Sequence, residues 1–266
     1  MGNMSQADPP ARNFDAVSHP RLDGVVHLPT VDSTNLEANR LRLSRPGKNV
    51  LIISDEQTAG IGQHGRNWES PRDVGLWMTL LIQDPESLKL PLNLISIYTG
   101  IILQEVLQQQ LVQKIHLKWP NDIMVRMKKL GGILTELKWF GSTPVAGIIG
   151  IGLNIKQDVE HFSPGLRARA TSLYMEGSSP IDTPALTQAI VDRFFENLTD
   201  LRSGEELSET WNQMAWKRDE TVLFFKDGKD LQGLFRGIDS TGNALIQQGN
   251  DVQRFISGEI RLGRQP

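Results

Sequence analysis

Gly60-Ile61-Gly62-Gln63-His64-Gly65-Arg66-Asn67-Trp68 lies between two apolar runs, Leu51-Ile52-Ile53-Ser54 before it and Leu76 to Ile82 after it. Gly60, Gly62 and Gly65 satisfy G-x-G-x-x-G, the spacing of a dinucleotide-binding turn. That reading needs a helix opening at the third glycine, so that its N-terminus meets a pyrophosphate. Instead Arg66-Asn67-Trp68-Glu69-Ser70-Pro71 follows, then Gly75 and the second apolar run. The order predicts strand, loop, strand, and argues against a Rossmann dehydrogenase. Glycines in such a loop let backbone N–H groups turn toward an anion, and Arg66 adds a permanent planar charge. An acidic, phosphorylated ligand is the first expectation.

Upstream of this stretch, Val25-Val26-His27-Leu28 reads as a short strand, and Ser33-Thr34-Asn35 opens a helix to about Ser44. Thr34 and Glu37 have capping-box spacing, so taken alone Thr34 and Asn35 are helix caps. Gln57, at the end of the strand before the glycines, could offer its amide to a ligand. Downstream, apolar residues from Pro91 to Leu111 recur at helical spacing, with Pro91 suited to the first turn. Ile115 to Val125 reads as two strand pieces broken by a proline turn, which brings Lys118, Asn121 and Asp122 together beside Trp119. Lys128-Lys129-Leu130-Gly131-Gly132 continues into a hairpin whose side-chain-free positions admit a ligand or another backbone. Val145 to Ile155 is β-branched and glycine-studded, a buried central strand ending on an unexpected amide, Asn154.

Thr183 and Pro184 open a further helix, with Leu186, Ile190, Phe194, Leu198 and Leu201 on one face, and another runs from Glu205 to Trp216. Beyond Lys217-Arg218, five short strand-like runs between Thr221 and Leu262 are separated by Asp227-Gly228, Thr241-Gly242-Asn243 and Gly249-Asn250-Asp251. This pattern predicts a small β-barrel. The expected organisation is a loose polar tail over residues 1–24, one main domain over 25–216 and a small one over 217–266.

Composition narrows the chemistry. The 266 residues contain no cysteine, which excludes disulfides, thiolate metal sites and cysteine nucleophiles. Five histidines are scattered without ligand spacing, so no metal site is assignable from sequence. A formal charge of −3 supplies no general field for nucleic acid. With no apolar run long enough to span a bilayer and no signal-like start, a cytoplasmic protein that touches neither membrane nor nucleic acid is expected.

Five segments in this order resemble the biotin–protein ligase family, biotin–[acetyl-CoA-carboxylase] ligase. They are Ser33-Thr34-Asn35, the glycine stretch through Trp68, Lys118-Trp119-Pro120-Asn121-Asp122, Lys129-Leu130-Gly131-Gly132-Ile133-Leu134, and Gly150-Ile151-Gly152-Leu153-Asn154. The resemblance covers the chain from about Val25. It implies an α+β fold: a catalytic domain like class II aminoacyl-tRNA synthetases, with a mixed sheet and helices, then an SH3-like barrel. It also implies a reaction in two steps. Biotin and ATP give biotinyl-5′-adenylate and pyrophosphate, and a lysine of the biotin carboxyl carrier protein of acetyl-CoA carboxylase then takes the biotinyl group. Mg²⁺ is implied with ATP, and biotin is a substrate.

Lys129 resembles the lysine that contacts biotin's carboxylate and the α-phosphate, Arg66 a phosphate-binding arginine, and Trp68 an aromatic packing on adenine. Asn154 resembles an adenine-side contact, with Gly65, Lys118 and Asn121 also on the ATP side. Thr34 and Gln57 match groups bonding biotin's ureido ring. Ser33, Asn35, Gly60, Gly62, Gln63, Gly131, Gly132, Gly150 and Gly152 complete the biotin side. Asp122 is the candidate for orienting or deprotonating the incoming lysine amine, whose ammonium form cannot attack.

Two departures stand out. Some family members carry arginine at the positions of Ile61 and Gln63, so the adenylate is expected to be held less firmly here. Release of biotinyl-adenylate should be faster than from a Gln63→Arg variant, and equal release rates would remove the idea. Some relatives also carry an N-terminal helix-turn-helix domain, which some 24 polar residues are not expected to form. Rival readings are a lipoate–protein ligase or octanoyltransferase on the same fold, and a non-catalytic biotin sensor. Lys-Trp-Pro-Asn-Asp and the barrel-like C-terminus favour biotin over the first, and the presence of Lys129 and Arg66 favours an enzyme over the second. Either a monomer or a homodimer fits the resemblance.

Overall fold

The computed structural model describes residues 12–84, 91–199 and 203–261. Its main sheet takes β1 (Gly24–Leu28), β2 (Val50–Ser54), β3 (Gly75–Ile82), β4 (Ile115–Lys118), β5 (Asp122–Val125), β6 (Lys128–Phe140) and β7 (Thr143–Asn154) in the order β1-β2-β3-β7-β6-β5-β4. Only β1 and β2 run parallel, joined by the helix α1 (Thr34–Ser44); every other neighbour is antiparallel.

The central strands read as continuous apolar runs because both faces of the sheet are covered. Leu51, Ile53, Met78, Leu80, Ile149, Ile151 and Leu153 join a large core with Ile95, Ile102 and Val106 of α2 (Leu92–Gln108) and Ile190 and Phe194 of α3 (Thr183–Thr199). The alternate residues Val50, Ile52, Leu81, Ala146 and Ile148 pack under Ala38 of α1. Since successive strand residues face opposite sides, Thr79, Gly150, Gly152 and Asn154 fall on the α1 side, beyond that helix's N-terminus. This uncovered part of the sheet is the floor of the site.

A fourth helix, α4 (Gly204–Met214), starts at Ser203, whose hydroxyl accepts from the Glu206 N–H while the Glu206 side chain accepts from the Ser203 N–H. It leads to a five-stranded antiparallel sheet of β8 (Thr221–Lys226), β9 (Lys229–Ile238), β10 (Ala244–Gln248), β11 (Asp251–Phe255) and β12 (Glu259–Arg261), ordered β11-β10-β9-β8-β12. The mixed α+β architecture with a separate C-terminal β unit is the one the sequence predicts. Among the described residues no helix is long and apolar enough to cross a membrane.

Three expectations need correction. Residues 12–23 are not a loose tail: Phe14 and Val17 are buried in the large core, and Arg12 donates to the carbonyls of Gly75 and Asp73. Residues 1–11 lie outside the described residues, as do Leu201 and Leu262. Pro91 is the N-cap of α2 rather than a residue of its first turn, since its ψ of 147° is extended. Thr34 is not the cap of α1. Ser33 is, without a side-chain hydrogen bond, and both Thr34 and Asn35 turn into the sheet.

Candidate functional site

The floor is a set of cross-strand rows. Trp77, Gly152, Gly132, Asp122 and Lys118 are successive partners across β3, β7, β6, β5 and β4, and Thr79, Gly150 and Leu134 form the adjacent row. Above it lies a cavity of about 620 Å³, walled by the α1 N-terminus, the glycine loop, the β4–β5 turn and the segment after β7. The glycines of the floor make room for the protein's own side chains. A Cβ on Gly150 would sit 2.2 Å from Asn35 Oδ1, and one on Gly152 2.6 Å from the Trp68 indole.

At one end the polar groups are neutral. Gln57 Oε1 accepts from the Thr34 N–H (2.8 Å) and hydroxyl (3.1 Å), while its Nε2 donates to Ser70. The Thr79 hydroxyl donates to Asn35 Oδ1 at 2.7 Å and lies 2.8 Å from Thr34 Oγ1. Such a buried, interlinked set is rigid and offers amide and hydroxyl dipoles without charge.

The centre is charged. Asp122 bridges two ammonium groups, Lys129 Nζ at 2.5 Å from Oδ1 and Lys118 Nζ at 2.6 Å from Oδ2. Burial alone would push the Asp122 carboxyl up, but the charges of Lys129 and Lys118 outweigh it and hold the pKa at about 2. Lys129 also sits 5.1 Å from the centroid of the Trp68 ring. Arg66 extends its fork to Glu259 of β12 (3.1 and 2.7 Å), which raises the arginine's pKa and outweighs the effect of burial to lower that of the glutamate.

The loop that carries Arg66 is a tight turn closed on itself. His64 and Gly65 are both left-handed (φ 56° and 70°), a pairing that suits glycine at the second position. Gly62 N–H donates to the Arg66 carbonyl and Trp68 N–H to the Gly60 carbonyl. Those two amides are taken within the loop, and Arg66 adds a permanent charge that the loop can offer an anion.

At the far end Asn154 Nδ2 donates to the Thr171 carbonyl (2.9 Å), and its Oδ1 accepts from Gln157 Nε2 (3.0 Å). The cavity thus runs from a neutral amide end, through a cationic centre level with Gly152, to a second amide end.

Comparison with known proteins decides the family. Residues 28–154 match the biotin/lipoate A/B protein ligase family, and residues 220–263 match the biotin protein ligase C terminal domain. The bifunctional ligase/repressor BirA of Salmonella typhimurium is 30% identical over 250 residues, 92% of this chain and 76% of that protein. The chain belongs to the biotin/lipoate A/B protein ligase family. A Paracoccus denitrificans family member, biotin–[acetyl-CoA-carboxylase] ligase, is 27% identical over 89% of this chain and 99% of its own length. The Aquifex aeolicus biotin protein ligase in complex with biotin and ATP superposes with a TM-score of 0.76 at 27% identity, covering 90% of this chain and 98% of that one.

In this ligase-family chain, Ser33, Thr34, Asn35, Gln57, Gly62, Gln63, Arg66, Trp68, Lys118, Asn121, Asp122, Lys129, Gly132, Gly150, Gly152 and Asn154 all line the one cavity. Gly60, Gly65 and Gly131 do not; a Cβ on Gly60 would strike the Trp68 carbonyl at 2.4 Å and one on Gly131 would meet Leu153 at 2.5 Å, so both serve packing. Asn121 braces the β4–β5 turn by donating to the Ile133 carbonyl at 2.6 Å. Trp119 faces away from the cavity and donates its indole N–H to the Gly242 carbonyl, pinning the C-terminal sheet to the catalytic sheet. Sequence reasoning missed Thr79, Gln157 and Glu259. Among the described residues no group of three or more His, Asp or Glu side chains could hold a metal ion.

The close approach at Gly152 yields a prediction. Gly152→Ala should displace the Trp68 ring and raise the KM for nucleotide by about tenfold or more, at a stability cost of about 1–3 kcal/mol. Steady-state kinetics with a melting curve check this, and an unchanged KM would mean that Trp68 does not touch the nucleotide.

Proposed function

We propose that this family member is a biotin–protein ligase that makes biotinyl-5′-adenylate and passes biotin to a lysine of the biotin carboxyl carrier protein of acetyl-CoA carboxylase. The observation that carries the reading is the cationic centre flanked by two neutral amide ends. Two substrates can then enter from opposite ends and meet at Lys129. Biotin's ureido ring suits the Thr34–Gln57–Asn35 end, and adenine suits the Asn154 end.

In the first step a carboxylate oxygen of biotin attacks the α-phosphorus, and the bond to the β-phosphate oxygen breaks to release pyrophosphate. Both reactants are anions, so the step needs neutralisation and alignment rather than a protein nucleophile. Lys129, Lys118 and Arg66 supply the positive charge. In the second step the acceptor amine attacks the acyl carbon, and AMP departs with the bridging oxygen. The charges of Lys129 and Lys118 hold the Asp122 carboxyl below the usual carboxylate range against the effect of burial, which makes it a poor proton acceptor for an ammonium. It therefore orients the amine and the two lysines, rather than acting as the base.

Mg²⁺ would arrive on the phosphates of ATP. Asp122 and Glu259 are already ion-paired, so no protein ligand is assigned to it and no step here depends on one. Residues 25–216 form the proposed catalytic unit and 217–266 the accessory unit, in a cytoplasmic enzyme.

Intact mass of a purified carrier domain, after incubation with the protein, MgATP and either biotin or lipoate, tests this reading. An ATP-dependent increase of one biotinyl group is expected. A lipoyl-sized increase would move the assignment to lipoate, and no increase with a competent acceptor would overturn it.

A further inference from the structure

We infer that Gln157 selects the nucleotide base by accepting a hydrogen bond from the exocyclic amine of adenine. This rests on the ligase reading above and adds a residue that none of the motifs contains. The Thr171 backbone carbonyl can only accept a hydrogen bond, which fixes the orientation of the amides that follow. Asn154 must therefore turn Nδ2 toward the Thr171 carbonyl, 2.9 Å away. Its Oδ1 is left facing Gln157, which must in turn present Nε2, at 3.0 Å. The Gln157 Oε1 is what remains: a buried acceptor with no partner, on a side chain that is 1% exposed and lines the cavity. The segment itself is pinned by the Ser172 hydroxyl, which donates to the Gln157 backbone carbonyl at 2.5 Å.

A buried amide oxygen without a donor is unfavourable, and such a group in a cavity calls for a donor from whatever fills it. Position says which substrate this is. Along β7 the cavity-facing residues are Gly150 beneath Asn35, Gly152 beneath Trp68, and Asn154. At about 3.4 Å per residue, Asn154 is about 14 Å from Gly150. The two lysines proposed to receive the carboxylate and α-phosphate lie between the two: Lys118 shares the cross-strand row of Gly152, and Lys129 reaches its Nζ to within 3.2 Å of where a Cβ on Gly132, the partner of Gly152, would stand. The group at Asn154 and Gln157 is therefore the base. Adenine carries an amine donor on its six-membered ring at the place where hypoxanthine and guanine carry a carbonyl. An oxygen there would face the Gln157 oxygen, acceptor against acceptor.

The test is biotin-dependent pyrophosphate release with ATP and with ITP, for the wild-type protein and for Gln157→Met, a substitution of similar shape that lacks the acceptor. Wild type should prefer ATP by more than about tenfold in kcat/KM, and the ATP-to-ITP ratio should fall by about tenfold or more in the variant. Biotin binding by calorimetry should stay within about twofold, as expected of a change confined to the base end. A wild-type preference below about tenfold needs no variant and would overturn the assignment, as would an unchanged ratio in Gln157→Met. Absence of turnover with either nucleotide would overturn the ligase reading itself.

Discussion

Lys129→Ala should lower kcat for biotinyl-adenylate formation by about 10²–10³-fold, the usual cost of removing one preorganised charge donor from a developing oxyanion. The Lys129 ammonium is held at 2.5 Å from Asp122, near the face of Trp68 and over Gly132 of the glycine row, where the two anionic substrates are proposed to meet. Removing it leaves Asp122 still paired with Lys118, so the fold should persist. Single-turnover adenylate formation, with biotin affinity measured separately, distinguishes the roles. A large loss in rate with biotin affinity changed by less than about tenfold is expected of an interaction made mainly in the transition state. A loss confined to biotin affinity would make Lys129 a binding residue only.

Asp122→Ala should be the most destabilising single change in the site. Lys118 is 4% exposed and has Asp122 as its ion-pair partner. Deleting the carboxylate leaves a buried ammonium uncompensated, at a cost of about 3–5 kcal/mol. For a chain of this size that is a fall in Tm of roughly 10 °C. Pairing the change with Lys118→Met should recover much of the loss, because the stranded charge is then gone.

The same pair fixes a pH dependence. The folded pKa of Asp122, about 2, lies below that of a free aspartate, about 3.9. Its contribution is complete above the unfolded value and is lost as pH falls toward 2. Melting temperatures of wild type and Asp122→Ala should therefore converge between about pH 4 and pH 2. A gap that stays constant across that window would show that the charge of Asp122 is not what stabilises the site.

How much of this could be read from the chain depends on how local each signal is. The strand–loop–strand around Gly60 to Trp68 is legible because a helix was missing where the dinucleotide reading required one, and β2 and β3 do flank a closed turn. Lys118, Asp122 and Lys129 are legible as a group because a tight turn and a hairpin bring them together within a dozen residues. Thr79 is not. It is one threonine in an apolar strand, and only the register of β3 against β7 and the entry of α1 put it against Asn35. Glu259 is separated from Arg66 by 193 positions, and nothing in a short C-terminal strand marks it as a partner of the glycine loop. A hydroxyl at a helix start has two uses, capping the helix or bonding outward, and in Thr34 the bond to Gln57 prevails. Trp119 follows Lys118 in the β4–β5 turn but faces away from the cavity, where its indole N–H donates to the Gly242 carbonyl and its ring packs by Phe224 of the C-terminal sheet.

The most direct test of the central claim, that two substrates meet as an acyl-adenylate at Lys129, is exchange of labelled pyrophosphate into ATP with no acceptor protein present. The account predicts exchange that requires biotin, is not supported by lipoate, and falls with Lys129→Ala as adenylate formation does. Exchange without biotin, equal exchange with lipoate, or full exchange by Lys129→Ala would contradict it.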